Sequence, residues 1–366
     1  MTSALLPAGF HDRLPPYADA AARLEACVLG TAFAHGYERV DPALAEFEEG
    51  LAGRLKSARP QDVVRFVDPV SQRSLAIRPD LTAQVGRIAA TRMAHHPRPV
   101  RLSYGGPVLK LRASELAPER ERRQVGCELI GLDGIAAARE VVRIAVEALT
   151  AAGISGISID FTLPDLIDVL ADGPMPVAPD DIDRLRDRLD AKDAGGVAEI
   201  APAYLPLIEA AGPFEDALVT LRGFDASGVL ATRLAALAAV AEGLDVALTL
   251  DPTERHGFEY QSWLGFSIFA SGVRGEIGRG GTYAIVHNGA EEPAVGFSLY
   301  IDPIIDAGVG VGERRRLFIP FDTDPAEAAL MRRQGWVTVA ALDESDTAAA
   351  QLCTHVLAEG VVKQLD

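Results

Sequence analysis

Cysteine is scarce in this chain: Cys27, Cys127 and Cys353 lie far apart with no CxxC spacing. That excludes a dense disulfide framework and offers no zinc frame, so all three read as reduced structural residues. The seven histidines include the neighbours His95 and His96 but no i, i+4 pair on a helical face, and no metal is expected. Long apolar runs are missing as well. No stretch approaches the ~20 apolar residues of a membrane span. The opening MTSALLPAGFHDRLPP lacks a charged segment followed by an apolar one, so a cytoplasmic protein away from the membrane is expected. Basic residues are outnumbered, 35 Lys plus Arg against 52 Asp plus Glu, for a net charge of −17. A chain that grips nucleic acid needs clustered cations, and the balance disfavours such a partner, although whole-chain charge does not describe one face. GxxxxGK[ST] and GxGxxG frames are absent, no nucleotide cofactor is expected, and Gly280–Gly281 reads as a tight backbone turn.

What is present is 366 residues, 48% hydrophobic, enough for one large core and a smaller unit. Ala, Leu and Val recur at helical spacing from Tyr17 to His35, between Pro15–Pro16 and Gly36. VVRFVDPVSQRSLAIRPDLT alternates as a hairpin turning at Asp68 to Arg73, and residues 82–94 return to a helical period. RPVRLSYGGPVLKLRA and RRQVGCELIGLDG predict two antiparallel strands around a charged, mobile loop at 113–121. A helix over 135–152 and the strand ISGISIDFTL follow, then Ala/Leu/Asp-rich helical pattern over about 164–243. Strand pattern resumes at DVALTLDPTE, EYQSWLGFSIFASG, RGGTYAIV and AVGFSLYID. The expectation is an α+β core over 1–312, a mainly antiparallel sheet flanked by helices and interrupted by a helical insertion. Residues 313–366 predict a small βαβα unit, with a second helix from about Ser345.

Several motifs then occur in a telling order. LLPAGFHDRLPP and GYERVDPALAE, with Pro42, resemble the opening and first class II motif of histidyl-tRNA synthetases; IRPDLTAQVGRIA resembles their RPEGT stretch. YGGPVLKLRA with RRQVGCELIG resembles the second motif, and Gln124, Gly126 and Glu128 stand at the spacing of QxGxE. The Asp form RPDLT, followed by Gln84, is similar to the regulatory subunit of short-form ATP phosphoribosyltransferase, a paralogue of these synthetases. The resemblance covers roughly residues 5–310 and implies the class II aminoacyl-tRNA synthetase-like fold.

Its departures imply the function. Where a synthetase carries an arginine and, two residues on, a glutamate for ATP, this chain has Lys110 and Arg112. The adenine-stacking arginine of the last motif is replaced by Pro303 in GFSLYIDPI. RHGFEYQ, similar to RGLDYY, puts His256 at the catalytic arginine, or Arg255 with a one-residue shift; RGGTYAIV has Thr282 for an arginine but keeps Tyr283. The resemblance therefore implies no catalysis of its own, no cofactor, and a homodimer within a hetero-oligomer that includes a short catalytic subunit and responds to L-histidine. Asp80, Thr82, Gln124, Glu128, Arg255, Tyr260 and Tyr283 are the implied histidine ligands. Plainer roles stand beside these. Asp80 or Thr82 could serve only as a helix cap, and Gln124 with Glu128 could form the solvated side of a strand. The alternative function is a ligase charging tRNA or another acceptor. Against it, residues 311–366 carry 6 Lys plus Arg and 9 Asp plus Glu, poor for holding an anticodon stem.

Overall fold

The computed structural model describes residues 6–51, 63–112, 119–255, 261–312 and 314–365. Helix α1 (Tyr17–Ala34) buries Ala20, Ala21, Leu24, Val28 and Ala32, the one-face spacing that its sequence sets up, and Gly36 at φ +82° closes it. A two-residue strand β1 (Glu38–Arg39) follows. Strand β2 (Ala45–Phe47) and helix α2 (Glu48–Leu51) precede the hairpin of β3 (Arg65–Val67) and β4 (Ser74–Ile77). These strands form a small antiparallel sheet in the order β2-β4-β3. Helix α3 (Thr82–Thr91) leads into β5 (Val100–Leu109) and β6 (Glu121–Ile130), paired in antiparallel register from Val100↔Ile130 to Leu109↔Glu121.

Helix α4 (Ile135–Ala151) crosses to β7 (Ile157–Thr162). Between β7 and the strand β9 (Ala247–Leu250) run α5 (Leu166–Ala171), α6 (Pro179–Asp190), α7 (Ala194–Ile200), α8 (Pro206–Glu209), α9 (Phe214–Phe224) and α10 (Ala231–Ala241), with a two-residue strand β8 (Gly212–Pro213). Strands β10 (Gln261–Ala270), β11 (Gly278–His287) and β12 (Ala290–Tyr300) then lead to α11 (Ile301–Asp306). The nine-stranded sheet runs β1-β5-β6-β12-β11-β10-β7-β9-β8. It is antiparallel apart from the β1/β5 and β7/β9 pairs.

Helix α3 positions the site. Its Leu81, Val85 and Ala89 pack on Leu102, Tyr104, Ile130, Tyr283, Ile285 and Ala294, laying the helix across β5, β6, β12 and β11. Each such buried apolar side chain contributes about 1.5–3 kcal/mol. Gly86 allows this approach, since a Cβ there would stand 3.1 Å from Ile285 Cδ1.

The chain divides into two compact units, Met1–Arg13 with Tyr17–Gly310, and Leu14–Pro16 with Val311–Asp366. The second holds β13 (Arg316–Ile319), α12 (Pro325–Arg333), β14 (Val337–Ala340), β15 (His355–Ala358) and β16 (Val361–Gln364), in the order β14-β13-β15-β16. The helix expected from Ser345 is absent, and the segment forms turns instead. Asp343 Oδ1 accepts from Ser345 N and Asp346 N, and Thr347 Oγ1 accepts from Ala350 N. Leu352 adopts φ +52°. These short side chains take the amides that a helix would use. In the first unit, Gly280–Gly281 does not form a turn: both lie within β11.

Candidate functional site

Strand alternation sends Tyr104 of β5, Gln124 and Glu128 of β6, Ser298 of β12 and Tyr283 of β11 to one face of four adjacent strands, beneath the start of α3. Gln124 is 0% exposed and Glu128 1%, which excludes the solvated-strand reading. Tyr104 OH donates to Glu128 Oε1 at 2.9 Å, and Tyr283 OH donates to Oε2 at 2.6 Å. Tyr104 OH also lies 2.9 Å from Ser298 Oγ and 3.3 Å from Thr82 Oγ1. Gln124 Nε2 donates to Asp80 Oδ2 at 2.8 Å and to Ser298 Oγ at 2.6 Å, while its Oε1 accepts from Leu81 N. Asp80 Oδ1 accepts from Thr82 N at 2.7 Å. Asp80 therefore orders the approach to α3 and joins the polar network.

Among the described residues, hydroxyls hold Glu128. Burial pushes its carboxyl up to about 8; the Tyr283, Tyr104 and Thr82 hydroxyls pull it down and the Asp80 charge adds to the rise. At neutral pH the group is mostly a carboxylic acid, able to donate a proton to a base or, once ionised, to accept an N–H.

Glycines clear the floor of the site. A Cβ at Gly296 would collide with Glu128 Oε2 and lie 2.6 Å from Cys127 O. At Gly126 it would come within 2.7 Å of Tyr104 OH, and at Gly281 within 2.7 Å of Gln261 Nε2. These strand glycines mark close approach of side chains to the sheet. Gln261 Nε2 donates to Gly280 O at 2.8 Å and fills much of the space, leaving a cavity of about 20 Å³ lined by Thr82, Glu128, Gln261, Arg279, Tyr283 and Ser298. That is room for about one water molecule. Thr282, on the other face, accepts at Oγ1 from Trp263 N and Leu264 N, stitching the bulge where β10 shifts register against β11.

The remaining expected positions fall elsewhere. Arg255 pairs with Asp187 of α6 at 2.8 Å, and its N–H donates to Asp190 Oδ1, so it is directed toward the helical insertion and is not among the residues lining the cavity. His256 and Tyr260 lie outside the described residues. Lys110 and Arg112 are exposed at the end of β5. Pro303 sits in the first turn of α11, where a helix needs no N–H from it. Its neighbour Asp302 accepts from Arg13 Nη2 at 2.7 Å and from Arg123 N at 2.6 Å, a structural role. Tyr104, Ser298, Gln261 and Arg279 were not singled out from the sequence. Period two, extended from Glu128 to the neighbouring strands, is the signal that reaches the first two.

Fold and motifs together define a class II synthetase-like protein. The family model described as histidyl-tRNA synthetase matches residues 9–304. The chain is 42% identical to an ATP phosphoribosyltransferase regulatory subunit of Rhodospirillum centenum, over 99% of this chain and 96% of that one. It is 41% identical to the regulatory subunit of Paramagnetospirillum magneticum, over 98% of each. A solved structure from Bacillus halodurans, titled as an ATP phosphoribosyltransferase regulatory subunit/histidyl-tRNA synthetase, superposes with TM-score 0.80 at 22% identity, covering 95% of this chain and 96% of that one. Histidyl-tRNA synthetase from Nostoc superposes with TM-score 0.76 at 16% identity, over 96% and 90%. The chain belongs to the ATP phosphoribosyltransferase regulatory subunits of histidine biosynthesis, regulatory proteins rather than enzymes, on the histidyl-tRNA synthetase fold.

Proposed function

We propose that the Glu128 cavity is the effector site for free L-histidine, in a homodimer that assembles in the cytoplasm with a short-form ATP phosphoribosyltransferase catalytic subunit. The observation that carries this is a buried carboxyl, held by Tyr104 and Tyr283 and sharing one sheet face with Gln124, whose amide donates to Asp80 ahead of α3. Glu128 meets the imidazole, while Asp80, Thr82 and Gln124 take the ammonium. Tyr260 belongs to this proposed set on the resemblance alone, and Arg255 joins it only by leaving Asp187. The narrow cavity admits histidine when Gln261 turns aside. Feedback then follows if histidine binds two states of the complex with different affinity.

Glu128→Gln keeps the shape and removes the ionisable group. Calorimetry is expected to show histidine affinity falling roughly 10- to 100-fold, the size of a charge-assisted hydrogen bond. Unaltered affinity, with feedback intact in the assembled complex, would move the effector site to the subunit interface. Dimerisation is proposed through α1 and the Pro42 segment, where Phe33 is 77% and Leu44 50% exposed. Sedimentation showing a monomer at tens of micromolar would sink that. The ligase reading predicts histidine-dependent ATP–pyrophosphate exchange. None is expected, because Lys110 cannot reproduce a bidentate guanidinium and Pro303 cannot stack on adenine.

A further inference from the structure

Away from the Glu128 site, a larger cavity lies where α1, the end of α4 and the chain just after α11 meet. Ala20, Arg23, Leu24 and Cys27 of α1, spaced i, i+3, i+4 and i+7, form one side of it, as neighbours along one stripe of a helix do. Ala151, the last residue of α4, and Val309, beyond α11, supply much of the rest. The cavity measures about 210 Å³, against about 20 Å³ beside Glu128. About 150 Å³ is enough to hold a benzene ring. Phe33, six residues beyond Cys27, falls off this stripe, so the cavity and the exposed Phe33 lie on different sides of α1.

Small side chains leave the space open. A leucine in place of Ala151 would suit the helix nearly as well and would fill it. The lining is aliphatic except at two places. Arg23 donates through Nη2 to Gly310 O at 3.0 Å and has no carboxylate partner among the described residues. A guanidinium carries five N–H donors, so most of its hydrogen-bonding capacity remains to be met. No acidic side chain is among the lining residues. The second place is the half-buried thiol of Cys27, while Cys127 and Cys353 are buried elsewhere. We infer that this cavity is a further ligand site, which takes a small carboxylate with a compact apolar body, its carboxylate on Arg23 and its body against Ala20, Leu24, Ala151 and Val309.

One cation beside an apolar floor sets that class. A planar guanidinium meets a carboxylate through two parallel N–H bonds, and a monoanion balances it. A phosphate monoester, at about −1.5 to −2 near neutral pH, would bring charge that no other lining residue answers. An ammonium would be repelled by Arg23. The site is tied to the sheet through α11: Val309 N donates to Ile304 O, and Asp302 in the first turn accepts from Arg123 N, two residues before Gln124. The inference goes beyond the histidine reading and does not depend on it.

Calorimetry on the full chain tests it, with benzoate as the probe, benzamide as its uncharged counterpart and acetate as the charge without the ring. Saturable benzoate binding is expected at millimolar concentration, about tenfold tighter than either control. Arg23→Gln should weaken it about tenfold, and Ala151→Leu should abolish it by filling the space. Both positions are exposed, so both variants should unfold thermally as the parent does. Cys27 reports the location. Benzoate should slow its alkylation by N-ethylmaleimide, read by mass spectrometry, in the parent and not in Ala151→Leu. Glu128→Gln should bind benzoate as the parent does whatever it does to histidine, and that arm separates failure of one site from failure of the other. Absence of saturable benzoate binding would overturn the inference. So would benzamide or acetate binding as tightly as benzoate, an Arg23→Gln variant that binds as the parent does, or benzoate binding that leaves Cys27 alkylation unchanged.

Discussion

The inner and outer ends of the β5-β6-β12-β11 face solve opposite electrostatic problems. At the inner end, among the described residues, hydroxyls rather than a cation surround buried Glu128, and burial raises its carboxyl to about 8. At the outer end the Lys110 ammonium is drawn below its ordinary value by lost solvent and by the Arg122 and Arg279 charges. One strand alternation produces both ends, and at each of them lost solvent works against the charged form, raising the Glu128 carboxyl and lowering the Lys110 ammonium.

The change that should break the contrast most severely is Gly296→Ala. The new Cβ would occupy the space of the Glu128 carboxyl and lie 2.6 Å from Cys127 O, a backbone atom that cannot move aside. Destabilisation of about 3 kcal/mol is expected, the upper range for overpacking, together with loss of histidine binding. Chemical denaturation would measure the first and calorimetry the second.

Titration sharpens the contrast further. Glu128 sits at about 8 in the folded chain against 4.5 when unperturbed. The folded state therefore binds this proton more tightly than the unfolded state. The stability that this confers is fully present below the ordinary carboxylate range and is lost as pH rises through about 8. The difference in unfolding midpoint between the parent and Glu128→Gln should thus shift steadily against the parent from acid to mildly alkaline pH. Tyr283→Phe removes a donor that lowers the Glu128 value and should move the titration to higher pH. A constant difference across that range would mean that Glu128 is ionised throughout.

Much of this was legible beforehand, for identifiable reasons. Helix α1 and the β5/β6 hairpin follow from strong periodicity between clear stop signals, and Gln124 with Glu128 follow from period two within one strand. Strand direction is not encoded in alternation, so the parallel β1/β5 and β7/β9 pairs were invisible. The segment after Asp343 has helix-forming alanines, but Asp343 and Thr347 capture the amides first. Gly280–Gly281 suggested a turn because glycine serves both turns and close approach; only the fold shows Phe266 and Gln261 lying over these positions. Tyr104 was hidden for a related reason. Its partners Glu128, Ser298 and Thr82 come from other strands and a helix, and such contacts have no local signature.

The mildest test concerns Gln261. Its side chain lies over Gly281 and Gly265 and is tied by one hydrogen bond to Gly280 O, so it holds space that a ligand of the inner end needs. Admitting histidine would break that single neutral bond, a cost of about 0.5–1.5 kcal/mol. Gln261→Ala removes the obstacle along with the bond, and histidine affinity should rise by roughly 2- to 10-fold. Gln261→Glu should do the opposite, since a carboxylate cannot donate to Gly280 O and would bring a second acid close to Glu128. Calorimetry on the two variants decides between roles. If Gln261→Ala weakens histidine binding instead, the amide is a ligand in its own right, and the inner end grips its occupant through β10 as well as β6.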